Sequence, residues 1–258
     1  MNARRDHSAF DQRVDRYDAL IDWPRRLGNE TNFYRNWFER ADVRRVLDAA
    51  CGTGRHASMF HEWGLEVEGA DVSPGMIAHC RQVHGEPAGL RWVERPYTRP
   101  TDPPASFDAV LCVGNSLALT EESPGVETAL RAMIDSLRPG GVCIVQVLNL
   151  WRLPDGPTQW RKCVRVPLAG GDHVLLKSIR RVGERAFIDF VDIELTPDGG
   201  MTRETESDSF IGLRADDLRA AAEAAGAGDI SFFGNYQQQA YDPATCPDLI
   251  LVCRNKPA

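Results

Sequence analysis

The chain has 258 residues, a formal net charge of −7, 43% hydrophobic and 26% charged residues, the profile of a globular protein with a sizeable core. Its acidic balance argues against nucleic acid as a partner, because that binding rests on a basic surface. No apolar run reaches the length of a membrane span and the N-terminus is charged rather than signal-like, so a cytoplasmic protein without a membrane partner is expected.

In chain order, Phe10, Val14, Tyr17 and Ile21 recur at helical spacing. Trp23-Pro24 is expected to break that helix. A second amphipathic helix is predicted from about Asn29 to Ala41, with Phe33, Trp37 and Phe38 facing inward. These two helices precede the first strand and are expected to form a lid over residues 1–43.

The next stretch is Val46-Leu47-Asp48-Ala49-Ala50-Cys51-Gly52-Thr53-Gly54. It reads as a buried strand, then a tight turn whose glycines let backbone approach a ligand, then a helix from Arg55. A cofactor at the carboxyl end of that strand, beside a helix N-terminus, is the arrangement this implies. A second strand, Glu66 to Ala70, ends in Asp71, whose carboxylate suits the two hydroxyls of a ribose. Ala57 stands where a GxGxxG motif would place its third glycine, which argues against an NAD(P)-dependent oxidoreductase.

Ser73-Pro74 is a helix start. Strands are predicted at Leu90–Val93, Phe107–Val113 and Val142–Leu148. A helix from Ser123-Pro124 lies between the last two, stopped by Arg138-Pro139-Gly140-Gly141. Strands alternating with helices imply an α/β fold with a doubly wound, mostly parallel sheet. The rhythm changes after Trp151. Val164–Pro167, His173–Val182, Arg185–Leu195 and Thr202–Gly212 read as antiparallel strands, with hairpin turns at residues 182–185 and 197–200. A helix at Arg214–Ala225 and strands at Asp229–Phe233 and Leu249–Cys253 then resume the βα pattern. The expected organisation is a sheet domain of residues 44–151 and 213–258, interrupted by an antiparallel insertion of residues 152–212.

The seven cysteines never form a CxxC pair. They read as reduced thiols, and no metal is expected. His56, His61, His79 and His84 are predicted on helix faces behind the sheet as solvent or packing residues, with His173 in the insertion.

The acidic-x-(Gly/Ala)-x-Gly-x-Gly shape of residues 48–54 resembles the first motif of class I S-adenosylmethionine (SAM) methyltransferases, whose fold is a Rossmann-like seven-stranded sheet. Tyr17-Asp18, Trp23-Pro24-Arg25-Arg26, Gly69 to Met76, Phe107 to Ser116, Leu137 to Gly141, Gly234-Asn235-Tyr236 and Leu249 to Arg254 resemble the glycine and sarcosine N-methyltransferase type. Phe-Asp-Ala-Val-x-Cys-x-Gly-Asn-Ser is the more specific sign of that branch.

The resemblance implies SAM as cofactor and S-adenosylhomocysteine as product. Asp48, Ala50, Gly52 and Gly54 would surround its methionyl part, Asp71 its ribose, and Val72 and Met76 its adenine, with Tyr97 and Cys112 nearby. Arg26, in Trp23-x-x-Arg26, would pair with the methionyl carboxylate, and Tyr17 would close over the site. The glycine-specific enzymes carry a histidine and a carboxylate-binding arginine where this chain has Leu119 and Leu148. That change implies an acceptor larger and less charged than glycine, lined by Leu119, Leu148 and Trp151. Methyl transfer requires collinear nucleophile, methyl and sulfur. Asn115 and Asn149, at adjacent strand ends, are the candidate positioners of an amine.

The expected function is therefore methylation of a small organic acceptor, on an amine nitrogen, in specialised metabolism such as antibiotic biosynthesis. The alternatives are an O-methyltransferase, which would need a base, and, from other classes, an oxidoreductase or a non-catalytic SAM-binding protein. The N-terminal helices and the insertion are the candidate elements of a homo-oligomer interface.

Overall fold

The computed structural model describes residues 14–120, 123–168, 171–196 and 199–256. Phe10, at the start of the first predicted helix, and Pro197 and Asp198 of one predicted turn lie outside them. Helix α1 is short, Val14–Ala19. Helix α2, Trp23–Arg40, begins at Trp23 rather than near Asn29. Trp23-Pro24 thus opens a helix instead of ending one. Proline is tolerated in a first helical turn, where its missing N–H has no partner to lose. The carboxylate of Asp22 accepts from Arg25 N at 3.2 Å as the cap.

The parallel unit continues as β1 (Arg45–Asp48), α3 (Arg55–Glu62), β2 (Glu66–Asp71), α4 (Pro74–His84), β3 (Leu90–Glu94), β4 (Phe107–Cys112), α5 (Ser123–Ser136) and β5 (Leu137–Leu148). After the antiparallel strands β6 (Thr158–Leu168), β7 (Gly171–Val182), β8 (Arg185–Leu195) and β9 (Met201–Ile211) come α6 (Ala215–Ala224), β10 (Ala227–Phe233) and β11 (Asp248–Asn255). α5 ends at Ser136, ahead of the predicted stop at residues 138–141, and those four residues already belong to β5.

The first sheet has seven strands in the order β10-β11-β5-β4-β1-β2-β3. β11 runs antiparallel to both neighbours, while β1, β2, β3, β4 and β5 are parallel. Alternation along the strands fills both faces. Cys143, Val145 and Val147 of β5 pack with Leu130 and Met133 of α5 and Leu218 and Ala222 of α6. Val142 and Ile144 lie with Phe33, Tyr34 and Phe38 of α2 and Phe60 of α3. Chain order reverses between β1 and β4, which opens a crevice at the carboxyl edge. β6 to β9 form a second, four-stranded antiparallel sheet, and the residues of one of its faces cover that crevice.

Candidate active site

Two glycines of the β1–α3 turn are left-handed, Gly52 at φ 52° and Gly54 at φ 77°. Their reasons differ. A Cβ on Gly54 would sit 2.7 Å from the Trp92 ring, so this glycine serves packing, whereas one on Gly52 would meet nothing within 4 Å. The turn therefore shows open backbone at Gly52. Gly52 N–H donates to Asp71 Oδ2 at 2.9 Å, and Ser73 N–H donates to Asp71 Oδ1 at 3.0 Å. These two amides orient the carboxylate that ends β2.

Asp48 ends β1 only 1% exposed. Its carboxylate has no side-chain partner or ion pair among the described residues, and burial pushes it up to about 6 against the backbone N–H of Ala50. A buried carboxylate without an ion-pair partner is costly. Ala50 and Val72 are half-buried beside these groups. Met76 N donates to the helix-capping Ser73 Oγ at 3.1 Å.

α1 lies across this turn. Asp18 accepts from Thr53 Oγ1 at 2.9 Å and from Trp23 Nε1 at 2.5 Å, and it pairs with Arg55. Burial alone would raise its carboxyl, but Arg55 and Thr53 outweigh burial and hold it below the ordinary value. On the other side of α1, Arg16 pairs with Asp192 at 2.6 Å and Glu204 at 2.5 Å of the second sheet. His173 Nδ1 lies 2.8 Å from Asp192 Oδ1 and fixes that carboxylate. Between these anchors, the Tyr17 hydroxyl accepts from Arg26.

Arg26 and Glu30 are one turn apart on α2 and pair at 2.9 Å. Arg26 also stacks 5.1 Å from the Trp23 ring centroid. Glu30 Oε2 lies 2.7 Å from His56 Nε2 and accepts from Tyr34 Oη at 3.2 Å. Tyr34 in turn lies 3.4 Å from Tyr236 Oη. Burial opposes ionisation of Glu30, but His56 and Arg26 hold it below its ordinary value. Sequence reasoning missed this network. The Arg26/Glu30 spacing of four was the available signal, and His56, expected as a solvent or packing residue, is a buried partner of it.

These elements enclose one large cavity of about 920 Å³, near the upper end for small-molecule sites. Tyr17, Arg26, Met76, Asn115, Leu119, Leu148 and Asn149 all line it. Asp48, Ala50, Gly52, Gly54, Asp71, Val72 and Trp23 lie under or beside α1 instead of on the cavity wall. Asn115, left-handed at φ 73°, uses its side-chain carbonyl to accept from Leu148 N at 2.9 Å.

The structure corrects several expectations. Asn149, 1% exposed, is fully occupied. Its amide donates to Pro243 O at 2.9 Å and Cys246 O at 2.8 Å, and its carbonyl accepts from Trp151 N at 3.2 Å and Tyr241 Oη at 3.1 Å. It pins the β5 end and has no donor left for an acceptor molecule. Trp151 points away from the cavity, sandwiched between Arg214 at 3.6 Å and Arg181 at 5.2 Å. Cys112 is fully buried in the core. Tyr97 packs against that core and shares a hydrogen bond with Thr120 Oγ1 at 3.0 Å, off the cavity wall.

The cavity is not apolar throughout, as the Leu119/Leu148 floor had suggested. On the second sheet, registered rows Lys162–Lys177–Phe190–Glu206, Leu175–Asp192–Glu204 and Ile179–Ile188–Asp208 face inward. The ceiling is cationic at the β6 edge and acidic at the β9 edge. Asp248 and Gln146, also on the wall, were missed. Gln146 Oε1 accepts from Gly114 N at 2.8 Å, and its Nε2 donates to Asp248 Oδ1 at 2.7 Å. Burial pushes Asp248 up to about 6 against that hydrogen bond.

Residues 46–141 match a family model described as a methyltransferase domain. Over 175 residues it is 31% identical to a glycine/sarcosine N-methyltransferase of Parasynechococcus marenigrum (strain WH8102), covering 62% of this chain and 60% of the relative. The matched part spans 25% and 52% of the length of two further relatives. The fold is shared more fully with solved methyltransferases. The sugar N-methyltransferase KedS8 from Streptoalloteichus sp ATCC 53650 superposes with a TM-score of 0.73 at 22% identity, covering 88% of this chain and 87% of that one. CalS10, an amino pentose methyltransferase from Micromonospora echinaspora, gives 0.71 at 21% identity over 99% of both chains. The fold is that of the class I methyltransferases, a mostly parallel seven-stranded sheet with an added antiparallel sheet.

Proposed function

We propose that the chain is a SAM-dependent methyltransferase acting on the nitrogen of an amine larger than glycine. The observation that carries this is the β1 and β2 strand ends: buried Asp48, with no ion pair among the described residues, and amide-oriented Asp71 flank the open backbone of Gly52. One carboxylate lacks a counter-charge and the other is preset for a diol, which fits the ammonium and ribose of SAM. Arg26 would hold the methionyl carboxylate, and Ala50, Val72 and Met76 would border the adenine and thioether. SAM supplies an electrophilic methyl on a sulfonium. The chain binds, orients and excludes water: α1, latched by Asp18 to the glycine turn and by Arg16 to the second sheet, acts as the lid, and Tyr17 is its inner face.

The acceptor's nitrogen would lie near Asn115 and Leu148. The names of the relatives and of the sugar N-methyltransferase neighbour support nitrogen as the methylated atom, and CalS10, described as involved in calicheamicin biosynthesis, supports a role in specialised metabolism. Glycine is disfavoured because Leu119 and Leu148 offer its carboxylate no partner and because the cavity is far larger. The charged ceiling of the insertion, residues 152–212, suits a polyfunctional acceptor. Calorimetric titration with SAM and with NADH tests the cofactor assignment. Binding of SAM and not NADH is expected, and the reverse would overturn the reading.

A further inference from the structure

Among the acids on the cavity wall, Asp22 caps α2, Asp192 and Glu204 pair with Arg16, and Glu30 pairs with Arg26 and lies against His56. Glu206 and Asp208 belong to the far ceiling. Asp248 differs from all of these. It opens β11 directly opposite Leu148, the last residue of β5, so it stands at the carboxyl edge where the cofactor-binding turn lies. Asn115, which accepts from Leu148 N, is its neighbour across the same strand end. Its carboxylate takes a hydrogen bond from Gln146 and has no ion pair among the described residues.

We propose that Asp248 is the group that receives the acceptor amine: its carboxylate holds the ammonium and takes one proton from it, so that nitrogen attacks with a free lone pair. This rests on the N-methyltransferase reading above. An amine of ordinary basicity is protonated in water at neutral pH and carries no lone pair for displacement. Proton transfer to Asp248 gives the neutral amine and a neutral carboxylic acid. The nitrogen then forms a bond to the methyl carbon as the carbon–sulfur bond breaks and its electron pair stays on sulfur. The product nitrogen carries the positive charge, and the Asp248 proton passes to solvent on release. Burial favours the protonated carboxyl and narrows the gap to the amine's basicity.

The charged and titratable neighbours are Arg26 and Glu30 from α2, Arg152 after β5 and Tyr236 before β11. Arg26 and Arg152 favour the carboxylate, and Glu30 opposes it. Gln146 keeps the carboxylate in place by bridging it to Gly114 N–H.

The test is kcat/KM against pH for the wild type, Asp248→Asn and Asp248→Glu. The acceptor is the first amine, in a panel of amino sugars and secondary amines, that releases S-adenosylhomocysteine with the wild type. SAM affinity is measured in parallel by calorimetry. The wild type is expected to give a bell whose acid limb lies near pH 6. Asp248→Asn should lose about 10²-fold in kcat/KM at pH 7, lose that acid limb and recover only as pH approaches the amine's own pKa. SAM affinity should stay unchanged, and Asp248→Glu should keep an acid limb. An unaltered pH profile in Asp248→Asn overturns the proposal. So does a tenfold loss of SAM affinity, which would place Asp248 against the cofactor. Absence of turnover with every amine by the wild type would remove the underlying reading and this proposal together.

Discussion

Replacing Asp71 by alanine probes the proposed cofactor site where its geometry is most explicit. The carboxylate is fixed by Gly52 N–H at 2.9 Å and Ser73 N–H at 3.0 Å, and an ionised carboxyl offers about four acceptor positions in all. A ribose diol would donate two charge-assisted hydrogen bonds, each worth about 1.5–3 kcal/mol. Loss of both corresponds to about 3–6 kcal/mol, or about 10²- to 10⁴-fold in Kd. Water entering the gap and relaxation of the two amides push the result toward the low end. The assay is calorimetric SAM titration of Asp71→Ala beside the wild type, with circular dichroism to show an intact fold. Asp71→Asn, which can still accept from the amides but lacks the charge, should fall between them. A Kd for folded Asp71→Ala within threefold of the wild type would refute the ribose assignment.

Other consequences follow from the same geometry. Arg26→Lys removes the planar fork that pairs with Glu30 and stacks on Trp23, and should weaken SAM binding about tenfold while leaving the fold intact by circular dichroism. Asn149→Ala should lower stability by about 2 kcal/mol in urea unfolding, since the buried Cys246 carbonyl and the more exposed Pro243 carbonyl lose their donor. A catalytic defect without a stability loss would contradict the structural role given to Asn149. Asp48 titrates near 6 in the folded chain against an ordinary 3.8, so the folded state binds more protons between those values. Stability from this group is therefore present below about pH 4 and lost as pH rises through 6, by about 3 kcal/mol in total. Asp48→Asn should flatten that decline in a thermal-melt pH series and raise Tm above pH 7 in the absence of SAM.

Much of the sheet was legible because its signals are local. Alternating apolar runs gave β1, β2, β4 and β5, and Ser73-Pro74 placed the start of α4 within one residue. The glycine turn could be read from residue types, since only Gly52 and Gly54 tolerate the left-handed backbone found there. Trp23-Pro24 misled because proline marks a helix start as readily as a helix end, and Asp22 as cap decided between them. Asn149 and Trp151 misled for a different reason. Both sit at a strand end that faces the cavity, but their partners come from Pro243, Cys246, Leu213 and Arg214, far along the chain. The charged ceiling was hidden for the same cause: Lys177 and Glu206 become neighbours of one face only through the register of β7, β8 and β9. Asp248, just outside the predicted Leu249–Cys253 strand, reaches the cavity only because β11 pairs with β5.

The most direct test of the account is the release of S-adenosylhomocysteine from SAM with a panel of glycine, sarcosine, larger primary and secondary amines including amino sugars, and phenols. The account predicts turnover with larger amines and little with glycine. Turnover confined to phenols would contradict it, and would move the methylated atom from nitrogen to oxygen.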